Sequence, residues 1–275
     1  MSLIPFPGSA ARPTPDDDPE DDDLDRDDGA AGGKMSFLEH LDELRRRLVV
    51  AVSAIGVGFL IAFAFNDRIF AFIMRPLQQI LPAGGKLVYT EPTEAFMLQL
   101  KVAALAGLVI AAPVIMWQLW LFVAPGLYAR EKRFAAPFVL FSTISFVGGA
   151  AFSHYIVFPA AWKFFASFNN DYMQFMPKIS EAFGLYSYMM LAFAVIFQMP
   201  TLVLALARMG VVTAGFLWRH TKYAILIIFI LAAVLTPSGD PWNQTVFAAP
   251  MVILYLLSIG IAWMVAPVVP RNDPQ

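Results

Sequence analysis

The chain has 275 residues, 59% of them hydrophobic and 15% charged, with a mean hydropathy of +0.63. A soluble domain carries about 25% charged residues, so this composition excludes a water-soluble globular protein and places the chain in a bilayer. The formal net charge of -2 conceals a division: ten of the 21 acids lie between Asp16 and Asp28, whereas residues 34–275 hold 17 Lys and Arg against 11 acids. The absence of cysteine removes disulfides, thiolate metal sites and a cysteine nucleophile from consideration.

Residues 1–33 are rich in Pro and Asp and poor in large apolar groups. They lack the basic and apolar regions of a signal peptide and the acid-poor composition of a transit peptide, which points to a bacterial origin. A disordered acidic tail is expected there, followed by a membrane domain over residues 34–266 and a short tail over 267–275. The membrane domain opens on His40-Leu41-Asp42-Glu43-Leu44-Arg45-Arg46-Arg47-Leu48. As a helix, this stretch puts Leu41, Leu44 and Leu48 on one face, suited to the lipid interface, with its charges in water. Glu43 then has two readings. It is either an i to i+4 partner of Arg47, worth about 0.2–0.5 kcal/mol, or a group that binds a cationic peptide.

Six apolar segments come next, expected at Val49–Phe65, Ala95–Phe122, Phe134–Phe158, Tyr186–Ala207, Tyr223–Leu235 and Thr245–Val265. Pro113 is expected to kink the second and Pro200 the fourth, because proline removes a backbone donor, and Pro159 is expected to end the third. The fifth has 13 residues. At about 1.5 Å per residue it covers roughly 20 Å of a hydrocarbon core about 30 Å thick, so it must thin the bilayer or shelter against neighbours. Basic residues in short loops (Arg45 to Arg47, Arg130, Lys132, Arg133, Arg208, Arg219 and Lys222) put both termini in the cytoplasm. The fold class is therefore an all-α integral membrane protein with six transmembrane helices, N-in and C-in.

Ala54, Gly58 and Ala62 in the first segment, and Ala103, Gly107 and Ala111 in the second, form stripes of small residues. Such stripes let helix backbones approach closely, within one chain or across a dimer. Catalytic signals are absent: the three histidines have no metal-ligand partner at i+3 or i+4, and no nucleophile elbow or phosphate loop occurs. Ser153 and His154 are adjacent, which on a helix keeps them from facing each other. No metal site, no enzyme activity and no nucleic-acid partner are expected. One alternative class is a secondary transporter of a small solute, with Pro113, Pro200 and Gln198 around a midplane cavity.

The cytoplasmic segment Phe122-Val123-Ala124-Pro125-Gly126-Leu127-Tyr128-Ala129-Arg130-Glu131-Lys132-Arg133 carries one acid among three bases. H-L-x-E-L-R-x-R-L before the first segment, F-x-A-P-x-L-Y-x-x-E after the second, Arg75-Pro76-Leu77, Ala112-Pro113-Val114-Ile115 with Gln118, and a proline in the fourth segment together resemble the TatC family. TatC is the multispanning subunit of the bacterial twin-arginine protein translocase, and the resemblance runs from about Phe37 to Ala266. It implies a receptor in the bacterial cytoplasmic membrane that binds twin-arginine signal peptides and begins proton-gradient-driven export of folded proteins. It also implies small single-span partners of the TatA and TatB type, surrounding lipid, several copies of this chain in one complex, and no cofactor.

Residue by residue, Glu43 and Glu131 match the acids that bind the arginine pair, Arg45 a required arginine, and Leu48 and Phe122 apolar neighbours of the patch. Pro76, Gln118, Gln198 and Asp240 match supporting or partner-docking positions. A carboxylate accepts two guanidinium donors in parallel, a geometry lysine cannot copy. The chain departs from the family at Gln198, where an acid is common, at Leu256, where many relatives have an acid, and at Thr236-Pro237-Ser238-Gly239-Asp240-Pro241, where the acid comes one residue late. Gln198 is equally readable as satisfying backbone freed by Pro200, and Asp240 as the N-cap of a helix opened by Pro241. The arginine run itself resembles a twin-arginine signal, but five further apolar segments favour a receptor over cargo.

Overall fold

The structure, a computed structural model, describes residues 37–81, 87–123, 135–170, 172, 175–236 and 239–265. The chain divides into two compact units, Met1–Asp42 and Glu43–Gln275. In the first unit the described residues, 37–42, form the opening turns of α1, which spans Phe37–Ala64. In the second unit the described residues are helical apart from connections and one isolated parallel bridge, Val88 to Lys178.

The charged opening segment and the first apolar run are one continuous helix, α1, which ends where Phe65 leaves helical geometry (φ -113, ψ 20). A second helix, α2 (Asn66–Gln78), begins at once and is not among the expected segments. Its signal is short but present: Ile69, Ile73, Met74 and Leu77 recur at helical spacing. Ile73, Met74 and Leu77 are buried against Leu98, Val102 and Phe158, while Asp67, Arg68 and Arg75 stay exposed, so α2 is amphipathic.

The remaining helices are α3 (Pro92–Val123), α4 (Ala135–Phe152), α5 (Phe158–Ala166), α6 (Ile179–Ile196), α7 (Met199–Arg208), α8 (Ala214–Arg219), α9 (Thr221–Leu235) and α10 (Pro241–Val265). α3 runs through Pro113 as one helix. The third apolar segment, by contrast, does not stop at Pro159. A π turn, Ser153–Val157, joins α4 to α5, with Phe158 N–H donating to Ser153 O, and Pro159 falls just after this widened turn, in the first turn of α5. Between α6 and α7 the helix is interrupted at Phe197–Gln198, and Pro200 likewise falls in the first turn of α7.

Among the described residues five stretches are long and apolar enough to cross a membrane: Leu41–Ala64, Pro92–Phe122, Ala136–Ala166, Ile179–Arg208 and Pro241–Val265. The apolar helix Thr221–Leu235 has 15 residues, two more than the sequence suggested, and covers about 22 Å at 1.5 Å per residue. It is clasped by its neighbours: Gln244 Nε2 donates to Phe229 O at 2.9 Å, and Tyr188 O–H to Val234 O at 3.5 Å. Buried Ile228, Ala232 and Leu235 join it to Met189, Phe193, Phe247 and Met251 in a core shared by α6 and α10.

The small-residue stripes are spent inside the chain. A methyl on Gly58 would lie 2.5 Å from Gly107 O, and one on Gly107 would lie 2.5 Å from Phe59 N. Ala62, Ala103 and Ala111 are buried along the same stripes. α1 and α3 therefore touch backbone to backbone, which only glycine permits there.

Candidate functional site

Glu43 lies two turns into α1 and is mostly buried, with Leu44 and Leu48 exposed beside it and Arg45 in solvent reach. Its Oε1 accepts from Arg47 Nε at 3.0 Å and is ion-paired with Arg47 Nη2, so the i to i+4 salt bridge forms. The second oxygen is different. Glu43 Oε2 is buried and has no hydrogen-bond partner among the described residues. A buried carboxylate oxygen without a donor is costly to leave unmade, and an incoming N–H group would relieve that cost.

Two contacts, one from α1 and one from the start of α2, fix how this stretch runs past α3. Gly58 faces Gly107, and Asn66 Nδ2 donates to Gln99 O and Gln99 Oε1, both at 3.1 Å. Asn66, at the start of α2, lies eight residues forward of Gly58, and Gln99 eight back from Gly107, so the α1–α2 stretch passes α3 in the antiparallel sense. Fifteen residues back from Gly58 is Glu43, and fifteen forward from Gly107 is Phe122. At about 1.5 Å per residue both sit some 22 Å from the crossing, at the same end of the bundle. Phe122 is half-buried in the last turn of α3. Glu131, nine residues further on, lies outside the described residues, as do Arg130, Lys132 and Arg133.

The four supporting positions are dispersed. Pro76 is inside α2, and Gln118 is half-buried in α3. Gln198 sits at the break between α6 and α7, and its Nε2 donates to Ser142 O of α4 at 3.0 Å. The amide thus satisfies backbone on a neighbouring helix rather than the carbonyl freed by its own proline. Asp240 Oδ2 accepts from Asn243 N–H at 3.0 Å, which makes it the N-cap of α10 with Pro241 at the first position. Leu256 is exposed on α10.

Sequence reasoning passed over Glu94 and took up His154 only as a neighbour of Ser153. Glu94 accepts from Thr90 N–H at 3.0 Å and from Ser180 N–H at 3.2 Å, and Lys178 Nζ stands 3.7 Å from it. It ties the starts of α3 and α6 together beside the Val88–Lys178 bridge. Its position three residues into a Pro-initiated helix is the signal that marks such a capping acid. His154 is buried, with Nδ1 3.2 Å from Tyr186 Oη. Ser153 Oγ has no hydrogen-bond partner, so the adjacent serine and histidine form no dyad. Among the described residues no group of three His, Asp or Glu side chains is arranged to hold a metal ion.

Long apolar helices, polar groups spent on helix ends and backbone, and one half-satisfied acid at a charged end define a multispanning, all-helical membrane protein. Residues 39–250 match the family model of the Sec-independent protein translocase protein (TatC). The TatC of Koribacter versatilis is 45% identical over 236 residues, covering 85% of this chain and 87% of that protein. The TatC of Desulforapulum autotrophicum is 45% identical over 226 residues, covering 82% and 83%. A crystal structure of the twin arginine translocase receptor TatC superposes with a TM-score of 0.70 at 33% identity, covering 82% of this chain and 98% of that one. The chain belongs to the TatC family: it is a membrane-embedded component of a protein translocase and not an enzyme.

Proposed function

We propose that this chain is the receptor subunit of a twin-arginine translocase, binding the paired arginines of signal peptides at its cytoplasmic face. The observation that carries the reading is the unpartnered, buried Oε2 of Glu43 at the same height as Phe122, just before the segment that bears Glu131. One guanidinium donates to Glu43 Oε2 and the other to Glu131, while Leu48 and Phe122 receive the apolar residues next to the arginines. Arg47 holds the carboxylate in place, and Arg45 sets the charge of the surface beside it. The chain acts with six spans, both termini in the bacterial cytoplasm and residues 1–33 as a solvated tail. Its partners are single-span subunits of the TatA and TatB type and further copies of itself, and it nucleates export driven by the proton gradient. Solved relatives described as twin arginine translocase receptors support this reading.

Photo-crosslinking in membranes to one precursor with paired arginines, and to the same precursor with paired lysines, tests it. Strong crosslinks to the arginine form that fall away with lysine, and with Glu131→Ala, are expected. Equal crosslinking of the two precursors would remove the receptor reading, and unchanged crosslinking of Glu131→Ala would remove Glu131 from the site.

A further inference from the structure

A second charged cluster lies at the end of α3 away from Phe122. There a cavity of about 230 Å³ opens between the start of α3, which lends it Glu91, Glu94, Met97 and Lys101, and the start of α6, which lends it Lys178 and Ser180. Its level in the membrane is read from the spans themselves. Glu94 falls in the first turn of the stretch Pro92–Phe122, Lys178 comes just before the stretch Ile179–Arg208, and Ser180 is in that stretch's first turn. Both are span ends, so the cavity stands at a membrane surface.

Lys101 is the group that calls for an explanation. Of the Asp, Glu, Lys and Arg side chains within the five apolar stretches, it lies furthest from a stretch's end, nine residues beyond Pro92. At about 1.5 Å per residue that is about 13 Å along α3, more than the thickness of a headgroup layer of about 5–7 Å. An ionisable group set so far into a span is costly, and by default it serves a site with a counter-charge. Helical side chains lean toward the N-terminus, so the Lys101 stem runs back toward the surface and carries its ammonium to the cavity it shares with Lys178.

The protein's own acids do not supply the counter-charge. Each oxygen of Glu94 accepts a backbone N–H, one from Thr90 and one from Ser180, and Lys178 Nζ already stands 3.7 Å away. Lys101 enters neither that ion pair nor the one at Glu43. Glu91 is exposed and comes ten residues before Lys101, about 15 Å along the axis. At 3.7 Å Lys178 is attracted to Glu94 without a hydrogen bond to it, which leaves donors on both ammonium groups for one further anion.

The cavity selects that anion. At about 230 Å³ it is smaller than the roughly 300–1,000 Å³ of pockets that engulf a whole small molecule, and a partner's helix about 10–12 Å across does not fit. It takes a polar group. Met97 lines it and is also 49% exposed, beside Phe96 at 60%, both on a stretch that crosses the membrane, so its flank is an apolar surface turned to lipid. An anion whose remainder is apolar and is supplied by the bilayer is a phospholipid, whose phosphate oxygens accept from lysine ammonium groups. A free anion would gain nothing from that flank.

We infer that this cavity is a phospholipid-headgroup site: Lys101 and Lys178 hold the phosphate of one lipid from the leaflet at this end of the bundle, and its glycerol and acyl chains leave along Met97. The site rests on the membrane spans and does not depend on peptide binding at the other end.

The delipidated full chain in detergent, titrated with phosphatidylglycerol and followed by native mass spectrometry, tests the inference. One lipid per chain is expected to bind more tightly than the rest. Lys101→Gln, which leaves the Glu94 contacts untouched, is expected to weaken that lipid about tenfold, the worth of one charge-assisted hydrogen bond, and Lys101→Arg, which keeps a phosphate donor, to restore it. A photoreactive phenylalanine analogue at Met97 is expected to crosslink to lipid in native membranes, an arm that needs no change at either lysine. Affinity unchanged in Lys101→Gln would overturn the inference. So would equal competition by glycerol phosphate, which would make the site one for a soluble anion, and so would crosslinks from Met97 to a partner polypeptide instead of lipid.

Discussion

Glu43 and Glu94 are the same side chain at opposite ends of neighbouring helices, and they are used in opposite ways. Glu94 has both oxygens occupied by backbone N–H groups and a lysine beside it. Glu43 has one oxygen on Arg47 and the other buried and bare. A satisfied carboxylate contributes to the fold, and its neighbours suffer when it is removed. A half-satisfied one has binding capacity left over, and its removal is felt by whatever binds. The pair shows why a carboxylate's sequence context, acid near base, does not by itself separate structure from recognition.

The largest effect on the fold is expected at Glu94. Glu94→Ala strands the N–H groups of Thr90 and Ser180 and frees Lys178, so the thermal transition in nanodiscs should fall further than for Glu43→Gln, Gly107→Val or Asp240→Ala. The fraction still folded should bind a twin-arginine peptide normally. Glu43→Gln is the mirror image: peptide affinity, measured by fluorescence titration, should fall about thirtyfold, since truncating one partner of a desolvated charge pair costs at least about 2 kcal/mol. The thermal transition should barely move. Should Glu94→Ala weaken binding as much as Glu43→Gln does, the division of labour between the two acids is wrong.

Gly107→Val sharpens the comparison by moving one acid relative to Phe122. The added side chain meets Phe59 N, Phe59 Cα and the Gly58 carbonyl carbon, so α1 must lift off α3. Overpacking of this kind costs about 1–3 kcal/mol, and loss of peptide binding should accompany the loss of stability. The smallest effect is expected at Asp240→Ala, which removes an N-cap worth about 1 kcal/mol from α10. Asp240→Asn or Asp240→Ser should recover that loss, as a cap requires and a charge-dependent role would not.

Much of this was legible in the chain itself. Composition placed the protein in a membrane, hydrophobic runs located its spans, and the charged motifs around Glu43 and Glu131 pointed to the TatC family. Asp240 followed by Pro241 announced its cap, because capping is local chemistry between residues three apart. What failed did so where helices meet. Pro159 looked like a stop, yet a π turn lets the helix continue. α2 was missed because its apolar face of four residues carries meaning only once a core exists to receive it.

The sequence alone determined the class and the long apolar stretches, since hydrophobicity, periodicity and charge are properties of neighbours along the chain. Only the tertiary structure decided which acid is spent and which is available. That turns on donors from residues as distant as Ser180, 86 positions from Glu94, and on the absence of a donor at Glu43 Oε2 among the described residues. Hydrogen-bond satisfaction is a property of three-dimensional surroundings, and no spacing within one helix reports it.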